Sequence, residues 1–272
     1  MKVLSAPRTT ILAAVLCAAT VALPHAQQGG EPVAVPFTDP GRVGSVRVAI
    51  HTGGIVVKSG DRRDVLVTAR GENVRGQSAP PDGLRRLTQA GGLVIAEENN
   101  QVSVTTGGRS REVDIDLQVP ARVNLNLMTH NDGDVIVENA EGDIEVQNHN
   151  GNIRLTNVAG SVVANTHNGD VRVTLARIAV DKAMSFVSYN GDVDVTLPAS
   201  ARANLKLRSD NGEIFTGFDV QMRPGTPPQP ARDARGRNRV EINQSIYGTI
   251  NGGGPEFELR TYNGNIYVRR AQ

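Results

Sequence analysis

Residues 133–173 read GDVIVENAEGDIEVQNHNGNIRLTNVAGSVVANTHNGDVRV. Glycine recurs every nine residues, at Gly133, Gly142, Gly151, Gly160 and Gly169, and each opens the same short run: G-D-V-I-V, G-D-I-E-V, G-N-I-R-L, G-S-V-V-A and G-D-V-R-V. The unit returns at Gly191 (G-D-V-D-V), Gly212 (G-E-I-F-T) and Gly264 (G-N-I-Y-V). Within each run apolar residues alternate with others, the period-two signature of a strand with one face buried. That parity points Val135/Val137, Ile144/Val146, Ile153/Leu155, Val171/Val173, Val193/Val195 and Ile266/Val268 inward. It points Glu145, Arg154, Arg172, Asp194 and Tyr267 outward. A unit this short cannot bury its own apolar face, so stacking against its neighbours must supply the stability.

Two architectures use such units. Asn-Gly pairs at 150–151, 168–169, 190–191, 211–212 and 263–264 supply positive φ for tight turns. Between alternating runs such pairs mark hairpins, and repeated hairpins build an antiparallel meander or barrel. The other architecture is a parallel β-solenoid in which two units make one coil. The turns before Gly151 and Gly169 are x-N-G, whereas those before Gly142 and Gly160 are A-E-G and V-A-G, which gives an 18-residue super-period. The chain has five Phe, four Tyr and no Trp in 272 residues, which suits a thin core of stacked aliphatic ladders. The expected fold class is therefore all-β, a parallel β-solenoid (β-helix or β-roll-like) with coils of roughly 18–22 residues. The meander or barrel is the alternative.

Outward from the repeat, the chain divides into segments. Residues 1–26 read as a secretory signal peptide: Lys2 and Arg8 lead an apolar run from Ile11 to Leu23, closed by Pro24-His25-Ala26. Cleavage at Ala26 or Ala22 removes the single cysteine, Cys17, and takes the formal net charge from +1 to −1. Residues 27–42 read as an N-terminal linker and 43–272 as one solenoid domain. A polar insert at 71–92, with a helical turn at Leu84–Leu87, and a disordered Pro/Arg-rich loop at 222–239 interrupt it. The expectation is an exported protein of the periplasm or cell surface, with no transmembrane span in the mature chain.

Charge and motifs narrow the function. With 29 basic and 28 acidic residues there is no basic excess to bind nucleic acid. A mature chain without cysteine has no disulfide, thiolate nucleophile or Cys-based metal site. No G-x-S-x-G, H-E-x-x-H or phosphate loop is present, so the reading is no enzyme, no catalytic residue, no metal ligand set and no cofactor. A glycan-processing enzyme on a similar scaffold is the alternative, and Asp114/Asp116 and Asp192/Asp194 are its close acidic pairs. Calcium is the one cofactor the clustered oxygens leave open. Calcium β-rolls, however, place Asp two residues after a glycine, where this chain has Val135, Ile144 and Val171. Asp134, Asp143, Asp170 and Asp192 instead follow glycine directly, as corner caps.

The runs T-H-N-D-G-D-V, G-D-I-E-V-Q-N-H-N-G-N-I and T-H-N-G-D-V-R-V resemble the bacterial putative-adhesin family, exported domains of unknown function. The later S-D-N-G-E-I and T-Y-N-G-N-I fit the same pattern, and the resemblance covers roughly residues 43–272. It implies a β-solenoid-like fold and an adhesin-like interaction or structural module. The family has no established catalytic residues to carry over.

Aligning the units on their Asn-Gly corners gives two columns. Thr129, Asn148, Thr166, Ser188, Ser209 and Thr261 share the inward parity and are suited to bonding turn backbone. His130, His149, His167, Tyr189, Asp210 and Tyr262 share the outward parity. In a ring-poor chain, this stripe is the candidate surface for an envelope polysaccharide or another surface protein.

Overall fold

The computed structural model describes residues 31–71, 93–106, 112–223, 230–232, 238–240 and 245–272. The signal-peptide reading at 1–26, most of the 71–92 insert and its helical turn lie outside the described residues. The fold is all-β, with a mixed sheet of 20 strands and a separate two-stranded sheet among the described residues. No helix among the described residues is long and apolar enough to cross a membrane.

The period-two pattern does what its parity dictates. Val135, Val137, Ile153, Leu155, Val171, Val173, Val193 and Val195 are all buried, while Arg154 and Arg172 are exposed. Each Val, Leu or Ile sequestered this way contributes roughly 1.5–3 kcal/mol. Ile153 pairs in parallel with Val135 on one side and Val171 on the other, 18 residues away each time. Gly142 pairs in parallel with Gly160. The pairing through Asn150 and Asn168 is likewise parallel, so no hairpin forms at those Asn-Gly steps. The positive φ belongs to the glycines, for example Gly151 at 147° and Gly169 at 143°, and not to the asparagines before them. The 16-residue strand Ile153–Asn168 turns the corner: its first part pairs with Val135–Glu138 and its last part with Met184–Asn190. One continuous sheet thereby encloses the core from two faces.

Among the described residues, eight coils stack, and their order is not that of the chain. The coil Gly44–Ala49/Ile55–Gly60 lies between Gln101–Thr106/Val113–Pro120 and Val123–Thr129/Val135–Glu138. At the other end, Glu256–Asn263/Ile266–Arg270 lies between Met184–Asn190/Val193–Leu197 and Ala203–Asn211/Ile214–Thr216. Each terminal coil is thus second from its end, with parallel partners on both edges.

Both ends of the stack switch to antiparallel pairing. Leu93–Glu98 covers Gln101–Thr106, and Asp64–Gly71 covers Val113–Pro120. Ile246–Ile250 covers Ala203–Leu207 and itself carries Val220–Arg223. These antiparallel strands cover three of the four end strands of the parallel stack, while Ile214–Thr216 pairs among the described residues with Ile266–Arg270 alone. Two readings from the sequence are corrected here. Residues 27–42 are not simply a linker: Val33–Pro36 pairs antiparallel with Asp64–Val67, and Phe37 is buried. The Phe37 ring occupies the space above Gly44, 2.4 Å from where a Cβ would stand. Within 222–239, Met222 and Arg223 end a strand, and Pro230–Arg232 pairs with Asn238–Val240. The rest of that stretch lies outside the described residues.

Candidate functional site

At the corner preceding each repeat glycine, three side-chain columns run along the stack. The inward column seals the corner. Thr129 Oγ1 donates to the Gly53 carbonyl, Thr166 Oγ1 to Gly151, Ser188 Oγ to Gly169, Thr261 Oγ1 to Gly191 and Ser209 Oγ to Gly264, all at 2.8–2.9 Å. Asn148 Nδ2 does the same for Gly133 at 2.8 Å. The sequence reading expected bonds to turn backbone; the acceptors are the carbonyls of the glycine in a neighbouring coil, so the hydroxyls bind coil to coil.

The second column is a ladder of amides. Asn150 donates to Asn131, Asn168 to Asn150, Asn190 to Asn168, Asn263 to Asn190 and Asn211 to Asn263. The central steps are 2.6–2.7 Å long. Stacking of identical amides in parallel register is what asparagine at this place provides. The sequence reading credited these residues with turn geometry and missed the ladder. Asx residues after the glycines form a further chain of caps. Asp134 Oδ1 accepts from Asn152 N, Asp170 Oδ1 from Asp192 N and Asp192 Oδ1 from Asn265 N, at 2.8–2.9 Å. Asp143 departs from this pattern: its N–H bonds Asn124 Oδ1, and its carboxylate holds Lys182 at 2.6 Å.

The third column, pointing outward, is a stack of rings. His130 and His149 lie 4.7 Å apart between centroids, His149 and His167 4.8 Å, His167 and Tyr189 4.7 Å, and Tyr189 and Tyr262 4.8 Å. Their planes are within 6–15° of parallel. The spacing is that of hydrogen-bonded strands, so the backbone imposes it. Asp210 joins the column beside Tyr262, because Ser209 and Asn211 pair with Thr261 and Asn263. Its carboxylate is held by Arg208 at 2.7 Å. All six predicted residues are therefore brought to one edge.

The sequence reading missed a seventh member, His51, which stacks on His130 at 5.4 Å. Its signal was present: His51-Thr52-Gly53 sets a ring two residues before glycine, as His149-Asn150-Gly151 does. It was hidden because Thr replaces Asn and because its neighbour in space is 79 residues away in the chain.

Stacking determines what this edge can offer. His130, His149, His167 and Tyr189 each have a ring against both faces, so their faces are spent on one another. What remains is ring edge, which carries the positive end of the quadrupole together with the polar N–H and O–H groups. Beside the ladder runs a groove of about 500 Å³. His167, Tyr189 and Tyr262 form its wall, and Gln147, Asn165, Val187 and Arg260 floor it. Nearby cations are engaged: Arg208 with Asp210, and Lys206 with Glu258 at 2.9 Å. The Glu258 hydrogen bond holds the Lys206 ammonium above the usual lysine range, against the opposing desolvation.

The acidic pairs weighed for glycosidase chemistry are occupied elsewhere. Asp114 caps the Gly54 N–H, Asp116 pairs with Arg70, Asp192 caps Asn265 and Asp194 pairs with Arg269. No three His, Cys, Asp or Glu side chains converge to hold a metal ion among the described residues.

A family model described as Toastrack DUF4097 matches residues 114–269, more than half of the chain. That agrees with the resemblance carried by the repeat motifs. No curated protein matches in sequence. The chain is similar to the crystal structure of a "putative cell adhesion protein" from Clostridium sporogenes ATCC 15579. That likeness has 10% identity and a TM-score of 0.38, covering 89% of this chain and 99% of that one. It is also similar to a "putative adhesin" from Bacteroides fragilis NCTC 9343, with 10% identity, a TM-score of 0.40, and 89% and 96% of the two chains covered.

Proposed function

Because the chain belongs to the Toastrack DUF4097 family, we propose that it is a non-catalytic interaction module of the cell envelope or surface, exported, adhesin-like, and built as a flattened parallel β-solenoid. The ring ladder carries this reading. Six rings at one outward position, in a chain with so few rings, are more than a solvated face needs. The other outward positions named above are Glu145, Arg154, Arg172, Asp194 and Tyr267, and among the described residues the ring pairing there is the single Phe215–Tyr267 stack. Tyr189 and Tyr262 remain 44% and 41% exposed despite their stacking. The family supplies the all-β scaffold, and the exported location rests on the leader-like residues 1–26. Calcium has no support beyond its clustered oxygens and is not included. The binding edge is His51, His130, His149, His167, Tyr189 and Tyr262, with Asp210 closing the column.

A ligand lying along several coils makes several weak contacts at once, so combined substitutions cost more than single ones. The test replaces His130, His149 and His167 together by Ala, with a second triple variant to Asn in case the first unfolds. After a melting curve shows each folded, binding to isolated envelope polysaccharide and to whole cells is compared with the parent. At least a tenfold loss is expected. Unchanged binding would leave the ladder as corner packing and sink the reading.

A further inference from the structure

The groove beside the ladder has a composition that selects among ligands. Of its ten lining residues, Arg260 is the one with a fixed formal charge. Unlike the Arg208 and Lys206 side chains, its guanidinium makes no ion pair or hydrogen bond among the described residues. The Asn165 amide is likewise unengaged, whereas Gln147 gives its N–H to Glu145 at 2.8 Å. The wall adds the edges of His167, Tyr189 and Tyr262, which carry partial positive charge and hydrogen-bond donors. The surface is thus rich in donors, carries a single cation, and repeats along the stack at the 4.7–4.8 Å spacing of the rings.

From this geometry we infer that the groove binds an acidic polysaccharide, a hydroxyl-rich chain bearing carboxylates, laid along the stack and across the strands. Arg260 receives a carboxylate, for which its planar fork of donors is suited. The Asn165 amide and the ring edges receive hydroxyl and ring oxygens of the sugars to either side. A neutral glycan leaves Arg260 unanswered. A polyanion such as polyphosphate answers Arg260 but brings no sugar hydroxyls to the Asn165 amide and the ring edges. The spent ring faces exclude the usual stacking of sugars on aromatic planes, except at the two ends of the ladder. This inference rests on the ladder being the binding edge and adds the class of ligand and the residue that selects it.

The test is a calorimetric titration of the full chain at neutral pH with three probes: oligogalacturonate, dextran of matched length, and polyphosphate. Oligogalacturonate is expected to bind at least tenfold more tightly than either of the others. Arg260→Gln should lose about tenfold or more of that affinity, since a charged hydrogen bond is worth roughly 1.5–3 kcal/mol and 1.4 kcal/mol is tenfold. Arg260→Lys should recover part of the loss. Arg154→Gln, an exposed cation on the other face, should lose nothing. Equal affinity for dextran, tighter binding of polyphosphate, no binding of any probe, or equal effects of the two glutamine variants would each overturn the inference. The two readings fail separately. Dextran binding abolished by the triple histidine variant keeps the ladder and removes the acidic ligand. Oligogalacturonate binding lost with Arg260→Gln but untouched by the triple variant keeps the groove and removes the histidines.

Discussion

Gly151→Ala tests the corner packing most directly. Gly151 has φ of 147°, where side chains are strained. An added Cβ would stand 2.1 Å from the Gly133 carbonyl oxygen and 2.8 Å from Asn148 Nδ2. That oxygen cannot swing aside, because it already accepts the Asn148 amide at 2.8 Å. The coils must part by more than an ångström. Backbone strain of this kind costs about 1–3 kcal/mol. Parting the coils also weakens the Asn148–Gly133 bond and the Gly133 N–Asn150 O bond of 3.3 Å, each worth about 1 kcal/mol. The sum is roughly 3–5 kcal/mol, a large part of the ~5–15 kcal/mol that holds a domain together. For a chain this size it corresponds to a fall in Tm of about 10 °C. Gly60→Ala is the control: nothing lies within 4 Å of its Cβ, and about 0.5 kcal/mol or less is expected. Urea unfolding can be followed by tyrosine fluorescence, since the chain has no tryptophan. If the two alanine variants unfold at the same urea concentration, the close-packed corner is wrong.

Ile153→Asp places a charge at a fully buried position and should cost several kcal/mol, whereas Arg154→Asp beside it should change the melting point little; equal shifts would show the strand parity misread. Thr166→Val removes the donor to the Gly151 carbonyl and should cost about 1–3 kcal/mol by denaturant titration, and a neutral result would deny the hydroxyl column its role. Asn148 Oδ1 is buried and meets no donor among the described residues, so Asn148→Thr, copying Thr129 and Thr166, should stabilise by about 1 kcal/mol; a drop in the unfolding midpoint would count against that. Thr38 Oγ1 donates to the Glu97 carboxylate at 2.8 Å and chiefly holds it below the usual glutamate range. The folded state therefore favours the ionised form, and the stability this contributes is present at neutral pH and lost as pH falls through the folded value. Thr38→Val should be less stable than the parent at pH 7, the gap closing towards pH 3; a gap independent of pH would refute the coupling.

The local repeat by itself determined the strands, their buried and exposed faces, the hydroxyl column and the ring stripe. These follow from period-two alternation and from glycine spacing, and both act within one coil or between coils 18 residues apart. The sequence reading went wrong where a residue's partner is set by another part of the chain. The asparagines look like turn formers on their own, and they become an amide ladder only when parallel register brings identical side chains within hydrogen-bonding distance. Phe37 reads as linker until Gly44 and the first coils provide a place to bury it. Only the tertiary structure decided the order of the coils, which inserts both terminal ones second from the ends and so brings His51 against His130 and Tyr262 against Tyr189. The physical reason is that every coil presents nearly the same aliphatic face and the same row of backbone donors and acceptors. Local pattern therefore does not distinguish one neighbour from another, and the order is a property of the whole stack that no single repeat encodes.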